Sequence, residues 1–194
     1  MWRAALASVS LLVLAQRAEA TAALPAPSLY VTHNHGLAIV IPQGLTYCPL
    51  PPDWVGSDHG VDLYLAPPAN CGDAGYPSSD RDATPRTPMI EVFYEFNTDD
   101  YVDRPRCRTP VRLRTLGRWV RACRRTQDGW TVLEAHPTYF VGREPHDLVL
   151  TLTTTEARYV ADLASFVALA RGVRACHTEW ADGRQGACPK SQWF

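Results

Sequence analysis

Apolar and polar residues alternate with a period of two along most of the chain, then switch near position 153 to a period of about 3.6. Residues 29–32 and 37–41 are short apolar runs flanking His33-Asn34-His35-Gly36, the pattern of a hairpin, and Pro42 and Gly44 end the second run. Val61, Leu63 and Leu65 mark one face of a half-buried strand. The clearest strand is 89–96, where Ile90, Val92, Tyr94 and Phe96 face one way and Met89, Glu91, Phe93 and Glu95 the other. Residues 106–114 and 119–124 read as two strands turning at Gly117. Asp128-Gly129 is a hairpin signal leading into 130–135, and 147–153 points Leu148, Leu150 and Leu152 inward.

After the strands comes one amphipathic helix, predicted over 155–171. Thr153 and Glu156 fit a capping box. Tyr159, Val160, Leu163, Phe166, Val167 and Ala170 form the apolar stripe, Arg158, Asp162 and Ser165 face outward, and Gly172 suits the position just past the helix. Such a stripe is buried by lying on a sheet. The predicted fold is therefore a single α+β domain over 29–172, with a twisted, mostly antiparallel sheet of six or seven strands under a C-terminal helix. Residues 21–28 read as a loose lead-in and 173–194 as a polar tail.

The order of these segments carries a resemblance. "GLAIVIPQGL" at the start, antiparallel strands in the middle and "DLVLTLTTTEARYVADLASFVALARGV" at the end resemble the layout of PsbP-like and DcrB-like exported domains. The chain departs from that pattern at Leu37, where the families carry an aromatic. The resemblance spans much of 36–173 and implies an antiparallel sheet with helical cover in a domain that binds rather than catalyses. It transfers no site residues.

The N-terminus reads as an address. Arg3 precedes a short apolar core at 4–15, and Ala18-Glu19-Ala20 offers small residues for signal peptidase. The apolar run is too short to span a bilayer, and no other stretch approaches 18 apolar residues, so no membrane span is expected after the signal is removed. Six cysteines, Cys48, Cys71, Cys107, Cys123, Cys176 and Cys188, all follow the signal. An even count in an exported chain implies disulfides, and no CxxC spacing points to zinc. Of the fifteen pairings that six cysteines allow, we take nearest neighbours: Cys48–Cys71, Cys107–Cys123 and Cys176–Cys188. Pairing of the 106–114 and 119–124 strands about Thr115 would set Cys107 opposite Cys123. The expected location is periplasmic or extracellular.

Charge narrows the partners. The formal net charge is −1 and the composition is 20% charged, which gives no field for nucleic acid. Against that near-neutral background Arg106, Arg108, Arg112 and Arg114 recur along one strand face. Guanidinium forks so arranged suit an acidic partner or a phosphate, or are neutralised by Glu91, Glu95, Asp99, Asp100 and Asp103 on a neighbouring strand and loop. The loop 76–88 offers Asp80, Arg81, Asp82 and Arg86 as a second contact patch, and Trp54, Trp180 and Trp193 lie in loops or the tail, where indoles favour interfaces.

Catalytic signals are sparse. His33, His35 and His59 are the candidate metal ligands. Asp58 and His59 are adjacent, so on a strand they point to opposite faces and cannot form a carboxylate–imidazole pair with each other. There is no G-x-S-x-G elbow and no HExxH helix. The leading expectation is an exported, non-catalytic module binding another protein, with an immunity-type inhibitor as one version. The alternatives are a metal-assisted hydrolase using His33, His35 and His59, and a small-ligand-binding domain with its pocket between sheet and helix.

Overall fold

The computed structural model of the protein describes residues 22–32, 35–48, 60–68, 71, 87–96, 107–141, 144–176 and 188, with backbone only at Glu95, Phe96, Val141 and Glu144. The strands, in chain order, are β1 (Leu24–Pro25), β2 (Leu29–Thr32), β3 (Leu37–Val40), β4 (Thr46–Tyr47), β5 (Gly60–Tyr64) and β6 (Met89–Phe96). They continue with β7 (Thr109–Thr115), β8 (Arg118–Gln127), β9 (Trp130–Ala135), β10 (Thr138–Val141) and β11 (Glu144–Thr155). The helix α1 (Tyr159–Gly172) and β12 (Val173–Ala175) complete the described elements.

Every pairing is antiparallel. The larger sheet runs β1-β4-β5-β6-β11-β9-β8-β7, with β10 also on β11. The long strand β11 therefore has β6 on one side and β9 followed by β10 on the other. β9 and β10 share one register against β11, Ala135 opposite Leu150 and Thr138 opposite Asp147. The ladder is interrupted at Pro137, which has no N–H to give, although its carbonyl still accepts from Leu148 N at 3.1 Å. A smaller sheet runs β12-β3-β2.

One apolar cluster joins the elements. Leu63, Ile90, Val92, Leu150, Leu152 and Leu133 rise from the larger sheet to meet Leu37 and Ile39 from the smaller one and Phe166 and Leu169 from α1. These alternate residues define an inner face, on which the helix packs against β7, β11 and β3. The protein is thus α+β and dominated by sheet, with more strands than the six or seven expected. The extra ones, β1, β4, β10 and β12, have two to four residues each, too few to show an alternation.

Three local expectations are corrected. First, α1 begins at Tyr159 with Arg158 as its N-cap residue and no side-chain cap. Thr153 does not cap it, because β11 keeps its ladder with β9 through Thr155. Second, the helix is rotated from the predicted stripe: Val160 is 82% exposed and Asp162 only 4%. The cause is a polar clamp. Thr154 Oγ1 donates to the Asp162 carboxylate, and Arg158 adds bonds of 3.1 and 3.0 Å to its two oxygens and one of 3.3 Å to the Leu65 carbonyl. Third, Gly172 is the last helical residue rather than a left-handed cap, and its lack of a side chain serves close packing. A Cβ there would sit 2.6 Å from the Val40 carbonyl oxygen. Beyond it, Val173–Ala175 pairs with β3 instead of beginning a tail.

The clamp yields a prediction. Asp162→Ala strands the buried Thr154 hydroxyl and releases the half-exposed Arg158, and is expected to cost about 2 kcal/mol. Asp162→Asn keeps one acceptor oxygen, and its amide can donate to the Thr154 hydroxyl, so it should cost about 1 kcal/mol. Urea unfolding of the two variants checks this, and equal losses would show that the clamp does not set the helix rotation.

All three cysteine pairs are bridged: Cys48–Cys71, Cys107–Cys123 and Cys176–Cys188, with Cα–Cα distances of 5.4, 5.3 and 5.0 Å. The route to the second differs from the expected one. β7 and β8 pair about Leu116-Gly117, so Pro110 stands opposite Cys123. Cys107 reaches Cys123 because the chain bends at Arg108, outside the ladder.

Candidate functional site

The face of the larger sheet turned away from α1 carries polar chemistry. One row crosses it from strand to strand: Asp62, Glu91, Thr151, Glu134, Cys123 and Pro110. Acidic residues occupy the β5–β6 end and the centre, and arginines occupy the β7–β8 end. There Arg112 faces Arg121, and Arg114 faces Trp119. All four side chains are exposed, Trp119 at 54%. Arg112 stacks its guanidinium 4.8 Å from the Trp119 ring centroid, which holds that indole flat on a basic surface.

Glu134 closes the arginine zone. Its carboxylate accepts 3.0 Å from Arg125 and contacts His136 Nε2. This ion pair ties the β7–β8 hairpin to a carboxylate on β9. The expected neutralisation by Glu91 does not occur, since β11, β9 and β8 stand between β6 and β7. The remaining acids proposed for that role, Asp99, Asp100 and Asp103, and the side chain of Glu95, lie outside the described residues. So does Arg106, while Arg108 is exposed at the bend before β7. On the opposite face Arg124 lies over Tyr159 of α1, 4.1 Å from its ring.

At the other end Asp62 and Glu91 are direct cross-strand neighbours. Burial, then the Glu91 charge, push the Asp62 carboxyl up to about 7. Its Oδ1 is shut away from solvent with no hydrogen-bond partner, and neighbouring Tyr64 is pushed upward by burial and by the same two acids. The consequence for stability has a definite sign. Below pH 3.8 Asp62 is protonated in both folded and unfolded chains. From there to about pH 7 only the unfolded chain releases the proton, so stability falls as pH rises, and above that range the loss is complete. Asp62→Asn is therefore expected to leave stability unchanged at pH 3.5 and to raise it at pH 8. The gain should be about 2 kcal/mol, half the ~4 kcal/mol a rigid site would give. Denaturation midpoints across pH 3.5–8 check it, and an equal effect at both ends would contradict the assignment.

The histidine reading is only partly visible. His33 and His59 lie outside the described residues. His35 is 3% exposed, and its ring lies 4.3 Å from that of Tyr94. It belongs to a buried polar cluster between the two sheets. His146, 2% exposed, meets it edge-on at 6.0 Å, and Tyr139 donates to the His35 carbonyl at 2.9 Å. Tyr30 and Tyr94 join hydroxyls at 3.0 Å. Among the described residues no three His, Cys, Asp or Glu side chains group as metal ligands. His146 and Tyr139 were not foreseen, yet His146 continues the inward phase of Leu148, Leu150 and Leu152 by one step.

The loop candidates Asp80, Arg81, Asp82 and Arg86, the indoles Trp54, Trp180 and Trp193, and the signal segment 1–20 lie outside the described residues. Among the described residues no helix is long and apolar enough to cross a membrane. No protein-family model matches the chain, and no curated protein matches it either.

Proposed function

We propose that the chain is an exported, non-catalytic module that binds another protein, and that the outer surface of the β7–β8 hairpin is where the partner docks. The observation that carries this is the zone of Arg112, Arg114 and Arg121 around an exposed Trp119. Exposed arginine and tryptophan are the residues that dominate protein interfaces, and three guanidinium groups with no carboxylate partner among the described residues suit an acidic patch. The three disulfides support export, since such bridges persist in oxidising compartments. The resemblance to PsbP-like and DcrB-like domains points the same way, and an immunity-type inhibitor is one concrete form of the activity. The hydrolase reading asks His33, His35 and His59 to converge. The one that is described, His35, is packed in the core against Tyr94.

Photo-crosslinking tests the proposal. With Trp119→benzoylphenylalanine in cells of the source organism, illumination is expected to give a discrete protein adduct whose yield drops as salt is raised. Absence of any protein adduct across a range of salt would remove the reading.

A further inference from the structure

We propose that the free edge of β7 receives an extended acidic segment of the partner as an added strand; this rests on the protein-binding reading above. β7 is the last strand of the larger sheet, and among the described residues nothing pairs with its outer side.

The turn fixes which backbone groups face that side. Leu116 and Gly117, with φ of +50° and +73°, form a two-residue connection of the mirror-image kind that closes tight hairpins. In such hairpins the flanking pair, Thr115 and Arg118, exchanges both hydrogen bonds, and bonded pairs recur at every second residue. Leu113, Val111 and Thr109 then spend their N–H and C=O groups on β8. Pro110, Arg112 and Arg114 turn theirs away. A proline in this strand agrees with that phase, because its missing N–H belongs to the side without a partner.

The same residues therefore offer two complementary features. Arg112 and Arg114 present backbone donors and acceptors along the edge and cationic side chains on the outer face. A second copy of this edge would bring arginine against arginine, so self-pairing is opposed. A strand with Asp or Glu at alternate positions would complete the ladder and set carboxylates beside both guanidinium groups. Its intervening residues would face the side on which Leu113 is buried and α1 packs, which selects apolar ones. The ligand class is thus an extended segment alternating acidic and apolar residues.

The probe is an end-capped eight-residue peptide alternating glutamate and valine, added to the full disulfide-bonded chain. Amide hydrogen exchange followed by NMR should slow roughly tenfold or more at Arg112 and Arg114, with Val111 and Leu113 unchanged. Arg112→Pro removes an outward N–H that β8 does not use, and should weaken peptide binding roughly tenfold beyond Arg112→Gln, which removes the charge and its stacking on Trp119 but keeps that N–H. Should the proline variant fail to fold, the wild-type chain decides. A peptide methylated on alternate backbone nitrogens keeps its charge and should bind the wild-type chain roughly tenfold more weakly than the unmethylated peptide.

No binding at millimolar peptide, unchanged exchange at Arg112 and Arg114, or equal affinity of the methylated and unmethylated peptides would overturn strand addition. The last of these would leave electrostatic docking in place. Failure of the protein-binding reading has a different sign, the missing adduct from position 119.

Discussion

The combined substitution Arg112→Glu, Arg114→Glu and Arg121→Glu is expected to reduce partner capture more than ~100-fold while leaving the fold intact. Reversing a charge at a complementary interface costs about 1 kcal/mol or more, and three such losses exceed the ~2.7 kcal/mol that corresponds to two decades of affinity. The fold should tolerate the change because all three side chains are exposed. Arg112 and Arg121 already face one another with like charge, and two glutamates there repel about as much as two arginines. The single substitution Arg112→Glu creates an opposite-charge cross-strand pair but gives up the stacking on Trp119, so the two effects should offset to within about 0.5 kcal/mol. Quantified crosslinking from position 119 measures the binding arm, and thermal unfolding measures the stability arm. Capture that survives the triple reversal would place the interface elsewhere.

The largest effect on stability is expected at Gly60. The β5 backbone approaches β6 so closely there that a Cβ would lie 2.2 Å from the Val92 carbonyl oxygen and 3.0 Å from Phe93 Cδ1. The first of these is a backbone atom within the β5–β6 ladder, so relief requires opening that ladder. The Gly60 carbonyl also accepts from Tyr30 at 3.3 Å, which links the two sheets. Gly60→Ala is therefore expected to cost about 3 kcal/mol or more. Gly44→Ala is the matched control. That glycine has φ of +88° with open space around it, so the substitution pays only backbone strain, about 1 kcal/mol. Urea unfolding of both variants separates crowding from strain, and equal losses would refute the close-approach argument.

Much of the strand framework can be read from period-two alternation, as in β6, where Ile90, Val92 and Tyr94 are buried at successive inward positions. Hairpin chemistry was equally legible at Asp128-Gly129, where both residues take positive φ. Leu116 shows the limit. A leucine at φ +50° gives no turn signal, so the alternation alone centres the β7–β8 pairing on Thr115 and sets the cysteines opposite each other, whereas the structure centres it on Leu116-Gly117. The helix failed for a different reason. Apolar periodicity cannot foresee that a threonine on β11 and an arginine one turn earlier will draw Asp162 inside and leave Val160 in solvent.

Site residues divide in the same way. The exposed phase of Arg112 and Arg114 follows from their alternation with Leu113. That the acidic strand β6 does not lie beside them depends on strand order, which pairs β7 with β8 and sends β6 to the far side of β11. Alternation carries no information about that order. The acidic pair Asp62–Glu91 was hidden because its members are 29 positions apart and meet only through the β5–β6 register.

Docking on the arginine hairpin presupposes that the mature protein resides where its sulfur bridges can form, including Cys107–Cys123, which ties the start of β7 to β8. Intact-mass spectrometry of protein taken from its native host, alkylated before any reduction, reads this directly. A chain starting at Thr21, lighter by six hydrogens and carrying no alkyl group, is the predicted result; a chain retaining its first twenty residues with all six thiols alkylated would contradict it.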